Sequence, residues 1–168
     1  LFETHPGLAK KLKERWERSA PCVLKKSIFL PRASFDDYIQ IVRQLDLVLD
    51  PFGFGAGTVF YQAMSCGVPL VTWPKKFLKT MVAAGGYKQM QILEPPTAKS
   101  KEEYINICKK LINSKKARED LSNEITRKAK LYLFDHRETL VEYEQFIRES
   151  IAASRKNKKL PINWQSKL

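Results

Sequence analysis

Three glycines at alternate positions, Gly53, Gly55 and Gly57, separate a short apolar run, Leu47–Leu49, from a helical pattern that opens at Thr58. The run has the length and composition of a buried strand, and Asp50-Pro51 ends it. Glycine allows close backbone approach and positive φ. The amides of Gly57, Thr58 and Val59 would lack intrahelical partners. Unpaired amides at the positive end of a helix dipole form an anion site. Open parallel sheets bind ligands beyond the C-terminal ends of their strands, where this loop would lie. The expected guest is a phosphate or pyrophosphate.

The remaining pattern repeats short apolar runs between helical segments. Leu8, Leu12 and Trp16 share one helix face, between Pro6 and Pro21. Ser27–Leu30 reads as a strand. Ser34 reads as an N-cap, with Asp36 and Asp37 favouring the dipole of a helix through Tyr38, Ile41, Val42 and Leu45. Further strands are expected at Val68–Trp73 and Met90–Leu93, with a helix over Phe77–Ala84 that breaks at Gly85-Gly86. Three helices follow: one capped by Ser100, one lined by Leu121, Ile125, Ala129 and Tyr132, and one lined by Leu140, Tyr143, Ile147 and Ile151. The expected fold class is α/β, a parallel sheet with helices on both faces. One domain is expected over residues 1–152, and a basic, flexible tail over 153–168.

Several chemistries are disfavoured. No Gly-Lys-Ser/Thr closes the glycine loop, so it is no Walker loop. The spacing departs from the dinucleotide fingerprint, and residues 73–79 hold no acid. No G-x-S-x-G elbow is present. His5 and His136 are too far apart in sequence to suggest a metal site, and no metal is expected. Cys22, Cys66 and Cys108 fit neither a disulfide framework nor a zinc site, and read as reduced thiols of a cytoplasmic protein. No apolar run reaches the roughly 18 residues of a membrane span. The net charge of +12 raises a nucleic-acid reading. Five of those charges, however, sit on Arg155, Lys156, Lys158, Lys159 and Lys167 in the tail. Residues 1–50 are nearly balanced. Lys75, Lys76, Lys79, Lys88 and Lys99 against Glu94 give residues 51–100 a modest positive field, which suits a phosphate-bearing ligand. A ligand-free tight turn stays open as the alternative reading of the glycines.

The stretch LVLDPFGFGAGTVFYQAMSCGVPLVTWP over residues 47–74 resembles the O-linked N-acetylglucosamine transferase / SPINDLY-like family, glycosyltransferase family 41. IFLPRAS at 28–34, FLKTMVAAG at 77–85 and the Glu102-Glu103-Tyr104 run resemble it as well. The resemblance covers roughly residues 3–150.

It implies a Rossmann-like parallel sheet with helices on both faces, the C-terminal half of a GT-B glycosyltransferase. Such a half holds the nucleotide of a sugar donor, with no metal or other cofactor required. UDP-N-acetylglucosamine is the expected donor, with a GDP-sugar open, for O-linked transfer to a protein or small-molecule acceptor. By position, Ala33 and Phe35 fall in the base-reading segment, and Tyr38 falls at the stacking ring. Gly55, Gly57, Thr58 and Val59 match the diphosphate loop. Gln62 stands where the family usually has a ribose-binding acid, and Met81 where relatives often have arginine. The phosphate-binding lysine of the family is expected upstream of Leu1, together with the N-terminal half. No catalytic residue is assigned, and the chain alone is expected to be inactive. A non-catalytic scaffold of the same fold and a basic nucleic-acid-binding module are the alternatives.

Overall fold

The computed structural model describes residues 1–3 and 5–167. The chain divides into two compact units, Leu1–Leu45 and Asp46–Leu168.

In the first unit, α1 (Pro6–Ser19) is capped by His5, whose Nδ1 accepts from the Gly7 amide at 3.2 Å. α2 (Pro21–Lys25) follows after one residue. The Trp16 ring meets Phe29 edge-on at 6.1 Å, and Lys13 lies over the same Phe29 ring. Leu30 forms a single parallel bridge with Phe2 rather than a full strand. α3 (Phe35–Arg43) starts as its sequence demands: Ser34 Oγ accepts from the Asp37 amide at 3.2 Å, and two acids occupy the first turn.

The second unit is mostly helical, around a small parallel sheet. β1 (Val48–Leu49) pairs with β2 (Leu70–Val71), Val48 opposite Leu70. α4 (Thr58–Ser65) makes the crossover between them. Beyond β2, Thr72 bridges Thr97 in parallel: the Thr72 amide donates to Pro96 O and the Ala98 amide to Thr72 O. The third sheet position therefore falls at residues 96–98, not at Met90–Leu93 as expected. The latter segment leaves α5 (Val82–Gln89) through Gln91, whose φ of 56° belongs to a left-handed turn.

α5 also runs straight through Gly85-Gly86, where a break was expected. Tertiary packing overrides the local preference here. A Cβ on Gly86 would fall inside the Phe60 ring, so the missing side chain lets α4 and α5 approach. Phe60, Met64, Leu70, Tyr87, Met90 and Ile125 are fully buried. The Tyr87 hydroxyl donates to Leu70 O and accepts from Leu70 N, both at 2.9 Å. Burial raises the Tyr87 phenol far above its ordinary pKa, so it stays a donor at any working pH. Tyr87→Phe leaves a buried amide and carbonyl of β2 without this partner. It should cost about 2 kcal/mol, read as a lower urea midpoint at unchanged slope. A loss below about 0.5 kcal/mol would show that the strand does not depend on this hydroxyl.

α6 (Lys101–Asn113) and α7 (Lys115–Lys128) are capped by Ser100 and Ser114, which accept from Glu103 N and Ala117 N. Tyr104 and Leu111 of α6 pack with Val71 and Ala98 in a second core cluster, joined by Leu47, Ile107 and Leu121. Arg118 donates to Leu111 O at 2.7 Å and Ile112 O at 2.8 Å, and pairs with Asp46 at 3.0 Å. It thereby ties the end of α6 to the entry of β1. A π-helical stretch, Ala129–Leu133, leads to α8 (Arg137–Arg155). Residues beyond it fold back along α8. Trp164 Nε1 donates to Glu149 at 2.7 Å, and its ring meets Phe146 edge-on at 5.2 Å. Hydrogen bonds from Trp164 and then Gln145 hold the Glu149 carboxyl below its ordinary range. Among the described residues, no helix is long and apolar enough to cross a membrane.

Candidate anion site at the start of α4

Asp50 is the first residue past β1 and is only 4% exposed. A buried carboxylate needs partners for both oxygens. Here Oδ1 accepts from the Ala56 amide at 2.5 Å, and Oδ2 accepts from Thr72 Oγ1 at 2.6 Å. Its backbone is engaged as well: the amide donates to Val71 O at 2.9 Å, and its carbonyl accepts from the Tyr104 hydroxyl at 3.1 Å. Asp50 thus closes the loop 51–56 into a ring anchored on both strands. In sequence, Asp50 is legible only as the residue that, with Pro51, ends the strand run.

Gly55 completes the ring by close approach. Its amide donates to Lys79 O at 2.9 Å, and a Cβ would stand 3.0 Å from that oxygen and 3.1 Å from Thr80 Cα. Lys79 and Thr80 belong to a 3-10 turn, Leu78–Thr80. Buried Thr80 steadies the turn by accepting from Lys75 N at 2.9 Å and donating to Phe77 O at 2.8 Å. Gly55 is therefore a packing residue whose amide is already committed. The expected positive φ does not occur in this loop: among the described residues, the only glycine with positive φ is Gly67 at 69°.

The helix start itself is open. Gly57 is the N-cap of α4 with φ −78°, no side chain caps it, and the first turn holds no acid. Phe60 N donates to Gly57 O at 3.0 Å. The amides of Thr58 and Val59 have no partner among the described residues. A Cβ on Gly57 would meet nothing within 4 Å. Thr58 and Val59 are exposed, and half-buried Gln62 lies one turn further along the face of Thr58. The arrangement presents N–H donors to solvent at a fixed point beyond β1, as recognition of an anion requires.

Of the nearby cations, Lys75 lies over the Trp73 ring and Lys79 over Phe77. Phe52 bridges the Trp73 and Tyr104 rings, edge-on to both at 5.2 and 5.0 Å. The loop thus sits on an aromatic base. Desolvation raises the Tyr104 phenol, which keeps its proton for Asp50.

The expected site residues fall into two sets. Gly55, Gly57, Thr58, Val59 and Gln62 gather within the second unit. Ala33, Phe35 and Tyr38 lie in the first. Phe35 is exposed and Ala33 is half-buried. Tyr38 is half-buried with its ring 4.9 Å from Phe2, so part of its surface already serves an internal contact. What the sequence reading missed are the supports: Asp50, Thr72, Thr80 and the carbonyl of Lys79. An acid directly after an apolar strand run is the one sequence signal that could have marked Asp50.

No family model and no curated protein sequence matches this chain. Among solved structures, the chain is similar to an O-GlcNAc transferase mutant from Thermobaculum terrenum, with a TM-score of 0.69 at 18% identity over 78% of this chain. At that identity the likeness is one of fold. It spans 25% of the length of the transferase chain.

Proposed function

We propose that this chain is the donor-binding part of a glycosyltransferase of GT-B type, taking a nucleoside-diphosphate sugar, with UDP-N-acetylglucosamine as the first choice and a GDP-sugar as the second. The observation that carries the reading is the uncapped start of α4, held by Asp50 beyond a parallel strand, with free amides at Thr58 and Val59. The fold shared with an O-GlcNAc transferase supports it.

In this reading the diphosphate lies against the α4 amides, where the helix dipole and the N–H donors offset its charge. Gln62 reaches the ribose hydroxyls as a neutral partner, weaker than a carboxylate. No metal enters the binding step. Transfer to a protein or small acceptor needs the other half of the cleft, so this chain alone binds donor without turning it over. Cys22, Cys66 and Cys108 are in no disulfide among the described residues, which supports a reducing, cytoplasmic setting.

The test is thermal unfolding with nucleotides. A dissociation constant on the order of 1 mM would give about 1.4 kcal/mol of stabilisation at roughly 10 mM ligand. For a domain of this size that is a rise of about 3 °C with UDP or GDP. Uridine and guanosine should give little. Equal rises for nucleoside and diphosphate would remove the anion site from the proposal.

A further inference from the structure

The second unit carries an acidic groove that the proposed donor site does not use. It lies between the 93–97 segment, α6 and α7, with a volume of about 580 Å³. Its floor is apolar, formed by Ile107, Leu111 and Leu121. Its lining carries Glu94, Glu103, Asp120 and Glu124 with the cation Lys110, and Lys128 pairs with Glu124. In a chain of net charge +12 this is a local excess of negative charge. The carboxylates are only partly engaged. Glu124 accepts from Lys128 at 2.6 Å and Leu93 N at 3.2 Å, Glu103 accepts from Lys99 N at 2.7 Å, and Glu94 faces Lys110 at 3.5 Å. Each carboxylate has about four acceptor positions, so capacity remains. Thr97 also lines the groove, and its hydroxyl is buried with no hydrogen-bond partner among the described residues.

The same chain displays a segment of complementary chemistry. After α8, Lys156 N and Lys158 N both donate to Ala153 O, and Asn157 takes φ 52°. This turn puts Arg155, Lys156, Lys158 and Lys159 on an exposed tip, followed by Leu160 and a fully exposed Ile162. Trp164 pins the far end to α8. The tip is thus ordered by its own contacts, with four cations next to two apolar side chains and no acid.

We propose that the groove receives this basic tip from a second copy of the chain. The cations meet the four carboxylates, and Leu160 and Ile162 meet the apolar floor. Reciprocal exchange makes two equal contacts related by a two-fold axis, the commonest closed arrangement. The contact is largely electrostatic at its rim and therefore weakens with salt.

Light scattering and sedimentation across a concentration series of the full chain test this. Dimer is expected at low salt, with the dissociation constant rising about tenfold or more near 0.5 M salt. Two charge-reversal variants separate the surfaces: Glu94→Lys with Asp120→Lys in the groove, and Lys158→Glu with Lys159→Glu on the tip. All four positions are exposed, and an unchanged thermal midpoint confirms each fold. A milder Asp120→Ser serves if the groove pair loses its fold. Each reversed variant alone should be monomeric. An equimolar mixture should recover dimer, because the basic tip of one meets the acidic groove of the other and the reverse pair is restored. A wild-type monomer at all concentrations would overturn the proposal. So would a dimer indifferent to the reversals, or a mixture that stays monomeric. None of these outcomes bears on nucleotide binding.

Discussion

Asp50→Ala should lower the stability of the second unit by about 3–4 kcal/mol. Two charge-assisted bonds are lost at once, from the Ala56 amide and from Thr72 Oγ1. Bonds to charged groups contribute roughly 1.5–3 kcal/mol each, and both partners would stay behind without an acceptor. The losses overlap, because water can enter a loosened loop and rescue part of the deficit. Asp50→Asn should cost less, about 1–2 kcal/mol, since one carbonyl oxygen still serves the Ala56 amide. Urea unfolding of the three proteins measures the series. An Asp50→Ala protein within about 1 kcal/mol of wild type would mean that the ring is held by Gly55 and its contact with Lys79 instead. The same variant links stability to function. The loop that Asp50 closes leads straight into the α4 start, so any nucleotide-dependent stabilisation should shrink even where the protein remains folded.

The strand, glycine loop and helix were legible in sequence because each signal is local. An apolar run, a glycine cluster and a helical period follow one another within twenty residues. The caps at Ser34 and Ser100 were legible for the same reason, since a cap and its amide partner lie three residues apart. The supports of the loop are non-local. Thr72 is 22 residues from Asp50, and Tyr104 is 54 residues away. No period or spacing links them. Met90–Leu93 was misread because a short apolar run fits a strand and a helix end equally well. Its true setting depends on how α5 ends. Gly85-Gly86 was misread as a stop because Phe60, which fills the place of a Gly86 side chain, sits 26 residues earlier. Phe35 and Tyr38 entered through a resemblance to a family. Their own setting is a capped amphipathic helix with Tyr38 against Phe2, which is a sufficient reason for an aromatic there.

Gly57→Val should abolish stabilisation by UDP or GDP and leave the domain folded. Space around the residue decides the second half of this outcome. A Cβ on Gly57 meets no atom of the chain within 4 Å, so there is room for the added carbon. A diphosphate hydrogen-bonded to the α4 amides must come within about 3 Å of that backbone. The valine methyls would occupy the approach and displace the anion. The intrinsic cost is that of a poor N-cap residue, on the order of 1 kcal/mol. Two controls give the result its meaning. Gly55→Ala lies only two residues away but has no room, and should lower stability without nucleotide and chiefly for that reason. Thr58→Ala keeps the amide and loses only an exposed hydroxyl, so most of the nucleotide effect should survive. Midpoints for wild type and the three variants, each with and without UDP and GDP, give the comparison. If Gly57→Val loses about 1 kcal/mol and keeps its full nucleotide shift, the glycines make a turn and nothing more. The start of α4 would then not be the phosphate site.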